Sequence, residues 1–134
     1  MDLFANPVLL SLSRQLDASA LTHRVIANNV ANVNTPGFKK SYVSFQEQLK
    51  AALGKQEIVM LTTSDRHMGG IPSLASVSPV VIQEKGTTMR YGGNNVDIDQ
   101  EMVNNAANSL VYDTSSLILD SKYTGLENVI RGGR

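Results

Sequence analysis

Residues 26–40 read IANNVANVNTPGFKK. Asn28, Asn29, Asn32 and Asn34 fall within seven positions of an otherwise amphipathic helical pattern, and Thr35-Pro36-Gly37 follows at once. Asparagine is a mediocre helix former because its amide competes for nearby backbone groups. The tripeptide is a stop: proline drives Thr35 out of the helical region, and Pro36-Gly37 suits the two central positions of a type II turn. The stop therefore has a local explanation, whereas the asparagines have two. They are either a fraying helix end or polar contacts that fix register and partner, as asparagine does within a coiled-coil seam.

Upstream of this stretch the pattern is a single helix. Asn6 suits an N-cap, with Pro7 at the first helical position, where a missing N–H costs nothing. Leu9, Leu12, Leu16, Ala20, Ile26 or Ala27, and Val30 then recur in steps of three and four, interrupted by Ser19 and His23. This helix is expected to run to about Asn32.

The distal end mirrors it. Asp97 is the expected N-cap of a long helix, with Gln100 completing a capping box and Asp99 and Glu101 placing negative charge in the first turn. Met102, Val103, Ala106, Leu110, Leu117, Leu126 and Ile130 recur at helical spacing, and Gly132-Gly133 ends the helix. Between the helices, residues 48–53 read as a short helix stopped by Gly54. Residues 58–61 and 79–83 are strand-like, residues 64–78 form a mobile loop rich in Ser, Gly and Pro, and residues 84–91 make a further strand element. The organisation expected is an N-terminal helix (1–34), an irregular middle with short β elements (35–95) and a C-terminal helix (96–134). The fold class is mainly α, with the two terminal helices paired as an antiparallel, coiled-coil-like hairpin. A pair burying only two narrow seams is marginal, because short helices draw most of their stability from packing. Partner copies are the economical source of further burial.

Composition agrees. The 134 residues are 42% hydrophobic but only 5% aromatic, an inventory for aliphatic helix packing. Twelve basic and twelve acidic residues cancel. A near-neutral surface permits self-association and removes the electrostatic case for nucleic acid. The absence of cysteine excludes disulfides and thiolate chemistry. The first residues carry no basic region ahead of an apolar core, so no cleaved signal peptide is expected, and no aliphatic run is long enough to span a bilayer.

Nothing suggests catalysis. His23 lies on the apolar stripe, where a structural histidine is expected, and His67, beside Asp65 and Arg66, reads as part of a solvated loop. The alternating acids of residues 95–101 fail as a calcium loop in both registers: starting at Asn95, the sixth and twelfth positions are Gln100 and Ala106, and starting at Asp97 they are Met102 and Asn108. No catalytic, cofactor-binding or metal-binding residue is assigned.

Two stretches resemble a known family. Residues 26–32 followed by Asn34-Thr35-Pro36-Gly37-Phe38-Lys39 are similar to the N-terminal signature of bacterial flagellar rod and hook proteins. Residues 89–102, MRYGGNNVDIDQEM, resemble a segment shared by the short rod proteins, and the proximal-rod members most of all. One departure is Tyr91, where the family often has an acidic residue. The resemblance covers essentially the whole chain. It implies a structural subunit of the basal-body rod, a hollow helical shaft crossing the periplasm and transmitting torque. It further implies export by the flagellar type III apparatus and contacts with other copies, other rod proteins, the MS ring and the export gate. It involves no cofactor, nucleic acid or membrane insertion. Carried onto this chain, the implied subunit contacts are Leu9, Leu12, Leu16, Ile26, Val30, Leu110, Leu117, Leu126 and Ile130, with Asn28, Asn29 and Asn32 as polar register contacts. Thr35, Pro36 and Gly37 form the turn, and Asn94, Asn95 and Asp97 the entry to the last helix. Two alternatives stand beside this: a secreted helical adaptor that never polymerises, and an enzyme built on His67 and Asp65.

Overall fold

A computed structural model describes residues 6–54, 77–88 and 92–132. Helix α1 spans Pro7–Ala31, strand β1 Ser41–Ser44, helix α2 Gln46–Gly54, strand β2 Val80–Gln83 and helix α3 Ile98–Ile130. At 1.5 Å per residue, α1 is about 37 Å long and α3 about 50 Å. The expected short strand at 58–61, most of the expected loop at 64–78, His67, and residues 89–91 lie outside the described residues.

The helix ends follow their caps. Asn6 Oδ1 accepts from the Val8 N–H at 2.9 Å, ahead of Pro7. Asp97 accepts from the N–H groups of Asp99 and Gln100. The reciprocal half of the expected capping box is absent, because the Gln100 amide donates forward to Asn104 at 3.1 Å. Gly132, at φ +80°, receives the chain at the end of α3. Thr35 to Phe38 form the expected turn: the Phe38 N–H donates to the Thr35 carbonyl, and Gly37 sits at φ +72°, as the third position of a type II turn requires.

The middle departs from the sequence reading in two elements. Ser41-Tyr42-Val43-Ser44 is a strand, antiparallel to β2 in the register Ser41↔Gln83 through Ser44↔Val80. Four residues carry too little alternation to be recognised alone; the pairing with β2 makes the strand. The described part of the other expected strand, residues 84–88, lies outside the two-stranded sheet. A small core gathers Ala18, Phe45 and Val77, with Val43, Leu49 and Ala52 packed against it.

The terminal helices pair antiparallel, as expected. Asn29 meets Glu101, His23 meets Asn105, and Ser19 meets Asn108, so numbers fall on α1 as they rise on α3. The contents of that contact differ from expectation. On α3 the buried residues are Glu101 and Ser115, and Leu110, Leu117 and Ile130 of the expected apolar seam are exposed.

Candidate functional site

Two features are built by the stretches the sequence singled out: a hydrogen-bonded junction between the end of α1 and the start of α3, and the surface α3 leaves open.

The junction begins with Asn29. Its side chain is 0% exposed. Its Nδ2 donates to the Ser41 carbonyl at 2.8 Å and to Glu101 Oε2 at 3.0 Å, and its Oδ1 accepts from the Ser41 N–H at 3.0 Å. One amide thus ties α1 to β1 and to α3. A buried amide and a buried carboxylate persist only when hydrogen-bonded, and here each is a partner of the other.

Asn32 and Asn28 finish the helix. Asn32 is the C-cap, and its Nδ2 donates to the Asn28 carbonyl and Oδ1, while Thr35 Oγ1 donates to Asn32 Oδ1. The carbonyls past the last turn gain a further donor from across the molecule. Asn94 Nδ2 lies 3.0, 3.0 and 2.9 Å from the carbonyls of Asn32, Val33 and Thr35. Two N–H hydrogens serve three oxygens, so at least one is shared. Asn94 Oδ1 accepts from the Val96 N–H at 2.7 Å. The side chain therefore acts as a cap on the chain leaving α1, supplied from a distance of some 60 positions in the chain.

Asn95 repeats the device one strand over. It accepts from the Lys40 N–H at 2.6 Å and donates to the Glu84 carbonyl and Thr87 Oγ1. The Gly37 N–H donates to the Gly92 carbonyl at 2.7 Å, and the Lys39 ammonium donates to the carbonyls of Thr87 and Gly93. Gly93 takes φ +79°, a left-handed conformation that glycine adopts without strain. On the rim, Glu84 Oε1 accepts from the Thr87 hydroxyl at 3.0 Å, and its Oε2 lies 3.3 Å from the Lys40 ammonium. The hydroxyl first, and then Lys40, hold the Glu84 carboxyl below the ordinary glutamate value, with partial desolvation opposing them.

Asn29, expected at a contact between subunits, makes these amide contacts inside its own chain and has no exposed surface in it. Asn32 is half-buried and spends its amide on the helix end, and Asn28 is exposed beside it. Glu101, Ser41 and Lys39 complete the junction. Sequence reasoning placed Glu101 only as a first-turn acid, and nothing local to 101 points to a partner at 29.

The remaining assigned residues fall into distinct environments. Leu9 and Ile26 are buried, Leu12, Leu16, Val30 and Leu126 are half-buried, and Leu110, Leu117 and Ile130 are exposed. Thr35, Pro36 and Gly37 are exposed at the turn; Asn94 and Asn95 are buried, and Asp97 is half-buried. His23 Nδ1 contacts Asn105 Oδ1 at 2.9 Å and its ring meets Tyr112 edge-on, so it packs as a structural residue between the helices.

α3 leaves a large apolar surface open. Among the described residues, eleven of the sixteen exposed large hydrophobics lie on this helix, and none of the eight buried hydrophobics does. The residues it buries are polar and its outward faces carry many large aliphatics among polar residues, unlike a helix on a monomeric protein. Beside it runs a groove of about 350 Å³ between α1 and α3, lined by Ile26, Ala27, Val30, Ala31 and Met102 together with His23 and Asn105. No described helix is long and apolar enough to cross a membrane.

Comparison with known proteins gives concordant matches. Residues 16–39 match the family model described as flagella basal body rod protein. Proteins named flagellar basal body rod protein FlgB are similar along most of the chain. The one from Borreliella burgdorferi is 36% identical over 74% of this chain and 77% of its own. The one from Bacillus subtilis is 31% identical over the whole of both chains. The one from Salmonella typhimurium is 33% identical over 88% of each.

Proposed function

The chain belongs to the FlgB family of flagellar basal body rod proteins, and from that membership we propose that it polymerises through its terminal helices into the hollow shaft that carries torque through the basal body. It is a structural protein of the flagellum rather than an enzyme. The observation that carries the polymerisation is the inverted burial of α3, which leaves most of its large aliphatic side chains exposed while the residues it buries are polar. Fully burying one such side chain is worth about 1.5–3 kcal/mol, so leaving so many in water is costly unless neighbours cover them.

In this reading the buried Leu9 and Ile26 hold the hairpin together, and Leu110, Leu117, Leu126 and Ile130 on α3 meet other subunits. Leu12, Leu16 and Val30, half-buried on α1, together with Asn28 and Asn32 at its end, border those contacts. The asparagine junction sets the angle at which the two helices leave one another, which fixes what a neighbour meets. Other rod proteins, the MS ring and the export gate are the further partners, and the flagellar type III apparatus is the route out of the cytoplasm. Those roles rest on the family resemblance. A near-zero net charge favours close packing of copies.

Deleting the gene tests the reading against a non-polymerising adaptor. Cells without the chain are expected to lack rods beyond the basal-body ring and to be non-motile. Motile cells with complete basal bodies would overturn it.

A further inference from the structure

α3 has apolar side chains on two sides, more than a helix with one neighbour requires. Glu101, Asn105, Asn108 and Ser115 form the side toward α1. On the opposite side Val103, Leu110 and Leu117 are 63%, 70% and 71% exposed. They stand seven residues apart, with the small side chains of Ala107 and Thr114 between them. A seven-residue repeat is the spacing at which a second helix stays in contact along a seam.

The groove between α1 and α3 has the complementary relief. Ala27 and Ala31 are exposed and offer only methyl groups, while Ile26, Val30 and Met102 stand around them. Large side chains of one helix fit where a facing surface offers small ones. Charge agrees: Asp113 and Asp120 flank the ridge three residues after Leu110 and Leu117, and Arg24 extends the Ala27–Ala31 row by one turn; all three are exposed.

Resting on the rod-subunit reading, we propose that the Val103–Leu110–Leu117 ridge of one copy docks into the α1–α3 groove of a second copy. Ridge and groove occupy different faces of the subunit. The contact is therefore heterologous, and each copy keeps one free half, so copies add head to tail, giving an open helical array wherever the rotation between them does not close a ring. A ridge-to-ridge contact would instead close a two-fold pair and end growth.

The chain has no cysteine, so introduced thiols are the only ones present. Leu110→Cys and Ala27→Cys are combined in one chain, expressed as the sole copy in its parent bacterium, and isolated basal bodies are oxidised. A disulfide needs Cα atoms within about 7 Å, so it reports the contact directly. The expected result is a ladder of multimers from the pair and monomer from either single variant. Dimers from Leu110→Cys alone, a crosslink from it to a different rod protein, or basal bodies that contain the chain but give no ladder each overturn the proposal and leave the rod reading standing. Intact, functional basal bodies that contain none of the chain overturn both. Independently, Ala27→Leu fills the groove at an exposed position away from the junction. It is expected to leave the melting of the purified chain unchanged and to remove the chain from rods. Normal incorporation of Ala27→Leu overturns the proposal.

Discussion

Replacing Asn29 with leucine separates a local from a tertiary account of the asparagine cluster. Judged by propensity, leucine is the better helix former by no more than about 0.7 kcal/mol, so the change should be harmless or helpful. The structure predicts the reverse. Glu101, buried in the first turn of α3, loses the Asn29 donor at 3.0 Å, and hydrogen bonds to a charged group are worth about 1.5–3 kcal/mol. The Ser41 N–H and carbonyl lose their Asn29 partners as well, at about 1 kcal/mol each. After subtracting the gain in propensity, the net loss is about 3–4 kcal/mol, a large part of the roughly 7–20 kcal/mol that scaling by length gives a chain of this size. Urea unfolding followed by far-ultraviolet circular dichroism reads the effect; with a slope of about 2 kcal/mol per molar, the midpoint falls by roughly 1.5–2 M. Asn28→Leu is the internal control, an exposed neighbour of the same type whose replacement stays within about 0.5 kcal/mol. An Asn29→Leu midpoint matching the wild type would refute the intrachain role of this amide.

Asn94→Asp keeps the shape of the side chain but removes both hydrogens that serve the Asn32, Val33 and Thr35 carbonyls. It is expected to destabilise the chain more than Asn94→Ala does, by about 2–4 kcal/mol in all, in the same unfolding assay. Gly93→Ala imposes a side chain on φ +79° without a steric clash nearby, so it costs about 1–2 kcal/mol from backbone conformation alone, read as a melting temperature lower by several degrees. Glu84 binds its proton more weakly folded than unfolded, so at acid pH the unfolded chain holds more protons and the Lys40–Glu84 contact contributes only while the carboxyl is ionised. Its contribution is therefore intact at neutral pH and lost as pH falls through and below the ordinary glutamate range. Glu84→Gln is expected to flatten that limb of a stability-against-pH curve measured by thermal melting.

Much of the fold was legible along the chain because it follows from local chemistry. Asn6-Pro7 started α1, Thr35-Pro36-Gly37 turned the chain, Asp97 capped α3 and Gly132 ended it; each is an effect of neighbouring residues on one backbone. Strand β1 was not legible, since four residues with no clear alternation become a strand only when β2 pairs with them. What the α3 seam meets was not legible for a related reason. Helical periodicity shows that Leu110 and Leu117 share a side, but it does not show whether that side meets α1 or another molecule.

By itself, then, the sequence determined two long capped helices, the turn between them and the middle, and a family whose signature coincides with the asparagines. Tertiary structure alone decided what those asparagines do. An amide carries two donors and an acceptor but no preference among partners, so its role depends on which backbone groups are brought near. Here Asn94 reaches back to the carbonyls just past the end of α1, Asn95 clasps Lys40 and Glu84, and Asn29 is closed in by Ser41 and Glu101. Hydrogen-bond partners separated by some 60 to 70 residues are set by the path of the chain, and no local rule of propensity or periodicity encodes them.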